Sequence, residues 1–452
     1  MSLIFNQLEF LFLFMPMVYL ATHIPALRRY RVHTLIVASI LFYGLSGIDH
    51  ALVLCAEIIW VWVLAIPRNL YRLILSILGP AFALIYFKYS GFLFGSMLQG
   101  IKAESGIVIP ILNDIALPAG ISFFTFQIIG YAVDRYRGAD RPQLSNFALF
   151  VSFFPQLVAG PIVRLHEVAA QIEKIPTYRS TLANWQKALV FCAVGLILKV
   201  VLADSLATTL LKLGTVPAEL SSTSAWYGVF AYSFRIYFDF FGYSLVAIGL
   251  ALLFGVSLPN NFDRPYNSLN PRDFWRRWHI SLSYWIRDYL YLALGGNRRY
   301  ALNIVIVFAV CGLWHGAAWT FVAWGLFHAV LVAGYSFVQP AWDWLPRFLQ
   351  WALTFVLVSV GWIFFQYDFA ASADYFQALV GSGGTMLPLD WRDASLLAIS
   401  GATAFFLKPQ SIYELVHRGG WMNISIQAVL AVMLALCIFA IQDSETFIYF
   451  RF

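Results

Sequence analysis

Long apolar runs separated by short clusters of basic residues dominate the chain. Runs near residues 32–46, 51–66, 73–89 and 117–133 approach the roughly 20 residues that a helix needs to cross a bilayer. The runs are continuous, whereas the strands of an outer-membrane barrel alternate apolar and polar residues with period two. Because a chain in lipid must satisfy its own backbone hydrogen bonds, the pattern predicts several transmembrane helices.

The basic clusters predict how these helices are oriented. Cytoplasmic loops carry an excess of Lys and Arg, and two apolar runs fit between each neighbouring pair of the first three clusters, which places the N-terminus outside. The first apolar stretch, near residues 10–19, has no basic n-region and no A-x-A-like site, so we expect a retained span rather than a cleaved signal. The clusters are Arg28, Arg29 and Arg31; Arg68 and Arg72; Arg135, Arg137 and Arg141; Arg164, Lys174 and Arg179; and an Arg-rich segment over residues 264–299.

One apolar stretch, residues 147–163, does not fit a simple crossing. It lies alone between two basic clusters and contains Pro155, Gly160 and Pro161. A single crossing would break the alternation of sides, so the stretch predicts a re-entrant hairpin. Non-helical backbone is tolerated at membrane depth only when it is buried in protein or lines a watery cavity.

A second stretch is too long for one crossing. Residues 300–342 contain no Lys, Arg, Asp or Glu. A straight helix over that range would measure roughly 64 Å, about twice the hydrocarbon core of a bilayer. The chain must therefore bend or double back, and Gly312 and Gly316 offer a place to do so.

Composition supports the same class of protein. Apolar residues make up 61% of the 452 residues and charged residues 12%, against about 25% charged in an ordinary soluble domain. The apolar total allows at most about fourteen spans, and since loops lower that number we expect about eleven, with re-entrant and interfacial helices besides. The fold class predicted is an all-α polytopic membrane protein, with one membrane domain over residues 1–452.

Charge and cysteine content exclude other classes. The net charge is +6, but no basic stretch stands clear of apolar sequence, so nucleic-acid binding is not expected. The four cysteines lie far apart in apolar segments without C-x-x-C spacing, so neither a metal site nor a disulfide framework is predicted. G-x-S-x-G, Walker A and H-x-x-x-x-D signatures are absent from the sequence, and any chemistry must be built within the membrane.

The segment CGLWHGAAW, Cys311 to Trp319, carries the strongest chemical signal. It places the imidazole of His315 inside the long uncharged run, where an ionisable group is costly and marks a functional-site hypothesis. A neutral imidazole can act as the general base for acyl transfer from a thioester to a hydroxyl. The alternative is a hydrogen-bonded packing histidine. His328 would face nearly the opposite way on a continuous helix, so we expect it to be structural.

The second signal is the segment FWRRWHISLSYWIR, Phe274 to Arg287, within the Arg-rich segment. The pattern is typical of an interfacial amphipathic helix with Trp and Tyr at the headgroups. Arg and Trp side chains can also bind the phosphates and adenine of an acyl-CoA. His279 lies on this stretch, either in the site or simply at the surface. The candidate donor-binding residues are Arg272, Arg276, Arg277, Trp278 and Trp314.

A third signal is a pair of charges in the apolar segment SFRIYFDFFGYS. Arg235 and Asp239 are four residues apart, a spacing that permits a salt bridge on one helix. A buried pair that fixes helix packing is the favoured interpretation, and a proton relay is the alternative.

Taken together, these segments resemble the membrane-bound O-acyltransferase superfamily, and most closely its bacterial alginate O-acetyltransferase-like branch. The similarity runs nearly from end to end. The segments that carry it are LPAGISFFTFQIIGYAVDRYRG (117–138), FFPQLVAGPIVR (153–164), FRIYFDFFGYSLVAIG (234–249), FWRRWHISLSYWIRDYLYLALGGNRR (274–299), LWHGAAW (313–319), GWIFF (361–365) and FIYFRF (447–452).

The resemblance implies that His315 is the catalytic histidine, in an intramembrane tunnel, and that His279 is a second active-site residue on the cytoplasmic side. It also implies acetyl-CoA as the cytosolic donor, with no permanently bound cofactor. The acetyl group would cross the bacterial inner membrane to a periplasmic SGNH-type acetyltransferase, or to a polysaccharide-modification complex, acting on an exopolysaccharide such as alginate or cellulose.

The chain departs from the family motif FDFSGYSD. Phe241 replaces Ser and Leu245 replaces Asp, while Arg235 stands where a neutral side chain is expected. The departures are expected to change the local hydrogen bonding and, with it, the acceptor or partner. Two other functions stay open on the sequence: a polysaccharide or lipid transporter, and a family member that acts on a lipid or protein acceptor. A transporter is often built from repeats. The sequence contains no second copy of the WHG segment around His315 or of the Arg-rich segment.

Overall fold

The computed structural model describes most of the chain, and its regular elements there are helices. The described residues are 5, 7–95, 116–158, 160–213, 217–381, 383–386, 389–408, 411, 414, 421–441 and 447–448. Among them, one isolated bridge joins Leu220 and Thr385. The chain divides into two compact units, residues 1–188 with 250–259 and residues 189–249 with 260–452.

The helices of the first unit follow the predicted apolar runs closely. They are α1 (Met15–His23), α2 (Arg31–Gly44), α3 (Ile48–Leu64), α4 (Leu70–Leu84), α5 (Ile121–Tyr136), α6 (Leu144–Ser152), α7 (Phe154–Leu157) and α8 (Leu165–Lys174). Helix α9 (Leu182–Leu196) has residues in both units.

The second unit carries both histidine motifs. Its helices are α10 (Asp204–Lys212), α11 (Ser222–Leu253, ending in the first unit), α12 (Pro271–Arg277), α13 (Ile280–Ile286), α14 (Tyr300–His315), α15 (Trp319–Trp344), α16 (Arg347–Gly361), α17 (Ile363–Gln366), α18 (Phe369–Val380), α19 (Trp391–Phe406) and α20 (Trp421–Ala440).

Several of these helices are long and apolar enough to cross a membrane. Within the described residues there are five, and a bent pair, Phe10–His23 with Pro25–Gly44, turns by 97° and makes a sixth if it is one span. The five are Leu70–Gly95, Leu182–Lys212, Ser222–Leu253, Trp319–Trp344 and Arg347–Gln366. The all-helical membrane class is therefore confirmed. The total of about eleven spans and the single domain over residues 1–452 stay predictions.

The stretch at residues 147–163 breaks as its prolines predict. Helix α6 ends at Ser152, and the short α7 carries Pro155 in its first turn, where a missing N–H costs nothing. The break is buried, and the Phe154 N–H donates to Ser39 Oγ at 3.1 Å. The non-helical backbone is thus buried in protein, and the re-entrant hairpin stays a prediction.

The bend predicted within residues 300–342 is confirmed, and it lies directly after His315. Helix α14 ends at His315, Gly316 is extended with φ −157°, and α15 starts at Trp319. The chain doubles back there, so His315 occupies the turn of a helical hairpin.

Two glycines determine how closely the hairpin packs. A Cβ on Gly312 would overlap the carbonyl oxygen of Phe321, and a Cβ on Gly325 would overlap that of Phe308. Each glycine lets the facing backbone approach where any side chain would block it. Gly312 faces Phe321, and Phe308 faces Gly325. The residue number rises along one helix as it falls along the other, as expected for two antiparallel helices.

The single amphipathic helix expected over residues 274–287 is wrong, because two short helices occupy this stretch. Helix α12 ends at Arg277, Trp278 is extended, and His279 adopts the left-handed conformation with φ 44° before α13 starts. A residue in that conformation cannot continue a right-handed helix. The break turns the chain at the histidine itself.

The salt bridge expected between Arg235 and Asp239 is also wrong. The Asp239 carboxylate pairs with Lys199, whose Nζ lies 2.7 Å from Asp239 Oδ1 and 2.7 Å from Asp204 Oδ1. Lys199 and Asp239 are buried, whereas Arg235 is partly exposed. A buried carboxylate needs a buried counter-ion, and here a residue of another helical segment supplies it.

Gly325→Ala should destabilise the protein, since its new methyl group meets the Phe308 carbonyl, whereas Gly334→Ala on the same helix meets open space. We expect Gly325→Ala to lower the free energy of unfolding by about 1–3 kcal/mol or more, as overpacking does. Gly334→Ala should gain up to about 1 kcal/mol from helix propensity. Thermal unfolding in detergent, followed by tryptophan fluorescence, measures both. Equal shifts in the two variants would contradict the hairpin contact.

Candidate active site

His315 lies in a box of aromatic rings. It is 2% exposed and is the last residue of α14. Its ring centroid lies 5.0 Å from that of Trp314, 5.0 Å from Trp324 and 5.4 Å from Phe365, each in an edge-on arrangement. The walls come from three helices, α14, α15 and α17. The box keeps the imidazole in dry, low-dielectric surroundings, which disfavour a charged form.

The fold brings the two predicted catalytic histidines together. The ring centroids of His279 and His315 are 6.4 Å apart, and Trp314 lies beside both rings. His279 is 1% exposed, so the surface-histidine alternative is wrong. Its left-handed backbone is uncommon for a residue other than glycine. Such strain persists only where the surroundings hold it, and it is concentrated at functional sites.

Asn261 holds His279 in place, and sequence reasoning missed it. Its Oδ1 lies 3.2 Å from His279 Nδ1 and accepts from the Ser281 N–H at 3.2 Å and the Ser281 Oγ–H at 2.9 Å. Its Nδ2 donates to Ser244 Oγ at 3.3 Å. The Ile280 N–H donates to the Asn261 carbonyl at 2.9 Å, so backbone and side chain are both anchored. Asn261 and His279 are 18 positions apart, and the sequence between them carries no local signal of this contact.

The Asn261 contacts also select a tautomer for His279. A backbone N–H is always a donor, so the Asn261 atom that receives the Ser281 N–H must be the oxygen. His279 Nδ1 must then carry the proton, and Nε2 is the acceptor nitrogen of the neutral ring. Burial lowers the pKa of His279 to about 3, which keeps the ring neutral at physiological pH.

A cavity of about 550 Å³ runs along one face of α14 as far as Cys311, and His315 itself does not line it. The α14 residues that line the cavity recur at intervals of three and four residues, as on one face of a helix. His315 comes four residues after the last of them. They are Tyr300, Ile304, Val307, Phe308 and Cys311. The stripe from Tyr300 to His315 is roughly 22 Å long at 1.5 Å per residue.

The end of the cavity near Tyr300 is cationic. Arg272, Arg276 and Arg287 line it. Arg272 Nη2 donates to Ser336 Oγ at 2.7 Å, and its guanidinium lies over the rings of Tyr300 and Tyr335 at 5.8 and 5.4 Å from their centroids. Within the part of the chain that the structure describes, neither Arg272 nor Arg276 forms a salt bridge with a carboxylate, whereas Arg287 pairs with Asp288 at 2.7 Å. The arrangement suits an anionic group.

The remaining predicted donor-binding residues lie elsewhere. Arg277 Nε donates a bifurcated hydrogen bond to the two carboxylate oxygens of Asp273, at 3.0 and 3.1 Å, and Arg277 does not line the cavity. Trp278 is fully buried between the rings of Phe274 and Trp362, at 5.5 and 5.0 Å. Trp314 is a wall of the histidine box. Their donor-binding roles stay predictions.

His328 lies behind the histidine box. It is fully buried, and its ring lies 5.0 Å from Trp324, the same indole that walls His315. Neither ring nitrogen has a hydrogen-bond partner among the described residues. Its ring thus packs on a wall of the histidine box, and the structural role expected for it stays a prediction.

The two residues that depart from the family motif fill apolar space. Phe241 stacks on Tyr237 at 5.3 Å, with an interplanar angle of 12°, and meets Phe262 edge-on at 5.6 Å. Leu245 is fully buried. Packing takes the place of the polar groups that the motif would supply here. Over the described residues, no group of His, Cys, Asp and Glu is arranged to hold a metal ion.

The low pKa of His279 makes stability depend on pH. The unfolded histidine titrates near 6.5 and the folded one at about 3, so between these values the unfolded chain binds more protons. Stability should therefore fall as pH drops below about 6.5, by up to about 1.4 kcal/mol per pH unit from this group.

Thermal unfolding of wild type and His279→Asn at pH 7.5, 6.0 and 5.0 tests this. The variant should show a shallower loss of melting temperature toward low pH. His33→Asn is the matched control, because that side chain is exposed in the folded protein and its loss should leave the slope unchanged. Identical slopes for wild type and His279→Asn would rule the assignment out.

Comparison with known proteins identifies a family and several relatives to which this chain is similar. A model of MBOAT, the membrane-bound O-acyltransferase family, matches residues 118–373. The chain is 36% identical to the probable alginate O-acetylase AlgI of Azotobacter vinelandii over 421 residues, 89% of this chain and 82% of the relative. It is 34% identical to the peptidoglycan O-acetyltransferase of Helicobacter pylori, over 85% of this chain and 81% of the relative. It is 30% identical to the teichoic acid D-alanyltransferase of Bacillus subtilis, over 54% and 68%.

The family match covers both histidine motifs, Asn261 and the residues that line the cavity. All three relatives are named as enzymes that transfer an acyl group. Together with the all-helical membrane architecture, these matches show that the chain is an acyltransferase and belongs to the membrane-bound O-acyltransferase family.

Proposed function

We propose that this protein takes acetyl from cytosolic acetyl-CoA and passes it across the bacterial inner membrane for O-acetylation of an exopolysaccharide such as alginate or cellulose. A periplasmic SGNH-type acetyltransferase or a polysaccharide-modification complex is the expected partner. The relatives named for alginate and peptidoglycan O-acetylation support acetyl as the transferred group. The teichoic acid relative is named for D-alanyl transfer, so the site, not the family, must select the acyl group.

The observation that carries the proposal is the face of α14 that runs from the cationic end of the cavity, here called the cationic mouth, to His315. Arg272 and Arg276 suit the phosphates of CoA, since guanidinium groups bind phosphate oxygens through two parallel hydrogen bonds. The apolar residues of α14 that line the cavity suit the thin, extended arm of CoA that carries the thioester. His315 follows the last of these residues, Cys311, by one helical turn. The donor thus enters head outward, with its thioester toward His315.

The chemistry follows from a neutral imidazole in dry surroundings. His315 takes the proton of an acceptor hydroxyl as that oxygen attacks the thioester carbonyl. The carbon–sulfur bond then breaks, and the thiolate of CoA takes the proton back, giving an ester and free CoA. Water is excluded by the aromatic box, which limits wasteful hydrolysis of the thioester.

His279 has an assisting role in this proposal. Asn261 holds the proton on Nδ1, so Nε2 is a hydrogen-bond acceptor that can orient the substrate hydroxyl beside His315. Because the backbone of His279 is anchored as well, its ring is positioned before substrate arrives.

A transporter and an acyltransferase for a lipid or protein acceptor are the other candidates carried from the sequence. A transporter needs a sealed membrane and releases no CoA, whereas the proposed reaction proceeds in detergent. An acyltransferase for a lipid or protein would release CoA only when that acceptor is supplied.

His315→Gln should abolish the reaction while keeping a polar side chain of similar length. We expect acetyl-dependent CoA release to fall by about 10²–10⁴-fold, the usual contribution of a general base. The assay uses labelled acetyl-CoA and purified protein in detergent, with soluble polysaccharide, in the presence and absence of periplasmic extract. His33→Gln, at an exposed position, is the control and should keep wild-type turnover. Wild-type turnover in His315→Gln would remove the catalytic assignment.

The cationic mouth makes a separate prediction about binding. Arg272→Gln and Arg276→Gln should raise KM for acetyl-CoA by about tenfold or more, since each removes a charged hydrogen bond of about 1.5–3 kcal/mol. The kcat values should change less, because the phosphates lie far from the reacting carbonyl. Arg298→Gln removes the same charge from an exposed position outside the cavity and should keep the wild-type KM. Equal effects of all three would point to general electrostatics instead of a binding site.

A further inference from the structure

We propose that the aromatic box around His315 admits only an acetyl-sized acyl group, and that Phe365 is the residue that sets this limit. The inference rests on the proposed function, because it concerns the acyl group of the donor that reaches His315. Phe365 acts by shape alone, so it is a specificity-determining residue, with no part in proton transfer.

The box has no slack at its inner surface. The rings of Trp314, Trp324 and Phe365 meet the imidazole edge-on with centroids 5.0 to 5.4 Å apart, which is contact distance for aromatic rings. Trp324 and Phe365 also meet each other, at 5.3 Å. All three rings are 3% exposed or less. An acyl chain that reaches His315 must fit beside these rings.

A second layer prevents the walls from moving outward. Trp362 stacks on Trp324 at 5.6 Å and meets Phe365 at 5.5 Å, while Phe321 meets Phe365 at 4.8 Å. Protein interiors packed in this way resist the insertion of even one methylene group. A longer acyl chain would have to displace two layers of rings.

The α14–α15 hairpin leaves no route for an acyl chain between its two helices. A Cβ on Gly316 would overlap the ring of Phe321, and Gly312 and Gly325 press the backbones of α14 and α15 together. No acyl tail can pass between these helices, since there is no space for a single methyl group at either glycine. The tail therefore cannot leave the box through the hairpin.

Phe365 is the wall whose truncation tests the limit most cleanly. Trp324 also packs on His328 and Trp275, and Trp314 also contacts His279, so their loss would disturb the histidines. Phe365 lies near the end of the short helix α17. Its replacement by Ala removes six carbon atoms beside His315 and leaves a cavity that the packed neighbours close only in part.

The test compares wild type, Phe365→Ala and Phe364→Ala with three donors: acetyl-CoA, butyryl-CoA and hexanoyl-CoA. Phe364 is the matched control, an adjacent phenylalanine whose ring packs on Phe376 at 5.3 Å and not on His315. The measured quantity is kcat/KM for CoA release in detergent, under the conditions that support acetyl transfer by wild type.

Wild type should prefer acetyl over butyryl by about 100-fold or more, since one methylene too many in a tight site costs about 10–200-fold. Phe365→Ala should reduce that preference by about tenfold or more, mainly through faster butyryl transfer, and Phe364→Ala should keep the wild-type ratio. Phe365→Leu, which removes less volume, should give an intermediate ratio and serves if the Ala variant does not fold.

The outcomes separate the two proposals. CoA release from none of the donors by wild type would overturn the proposed function and this inference with it. Acetyl transfer with an equal rate for hexanoyl-CoA in wild type would overturn the size limit alone, without reliance on any variant. Unchanged acyl preference in folded Phe365→Ala or Phe365→Leu would show that Phe365 does not set the limit.

Discussion

The close backbone contact of the α14–α15 hairpin is the constraint on which the candidate site depends. Glycines at 312 and 325 let α14 and α15 touch backbone to backbone on either side of the turn that follows His315. A helix that continued straight past His315 would carry the following residues, Trp324 among them, away from the imidazole. Because the chain instead doubles back, rings from α15 and α17 can close around His315.

The protein handles charge in two ways within one apolar unit. Where a charge is buried, as at Lys199, it is paired with carboxylates at 2.7 Å, which offsets its loss of hydration. Where a charge lines the cavity without a carboxylate partner among the described residues, as at Arg272, a hydroxyl group and aromatic rings contact its guanidinium. His279 lies between these two cases, because burial lowers its pKa to about 3 and a neutral imidazole is compatible with dry surroundings.

Local strain and long-range packing act together at the second histidine. The left-handed backbone of His279 divides what would be one helix and turns its ring toward His315. The cost of that conformation is of order 1–3 kcal/mol, and the hydrogen bonds from the Asn261 loop offset it. The site is therefore assembled from three segments of the chain, and no one of them can position its histidine alone.

The sequence by itself determined the membrane class, the helix positions in the first unit, the break after His315 and both candidate histidines. These follow from local properties: apolar run length, the positions of Pro and Gly, and an imidazole in an uncharged run. Only the tertiary structure decided the pairing of Asp239 with Lys199, the anchoring of His279 by Asn261, and the walls formed by Trp324 and Phe365. Each of these contacts joins different helices or loops, and none follows from the local pattern of the chain. Since side chains of one apolar stretch look alike in sequence, which of them faces a distant histidine depends on how the helices pack.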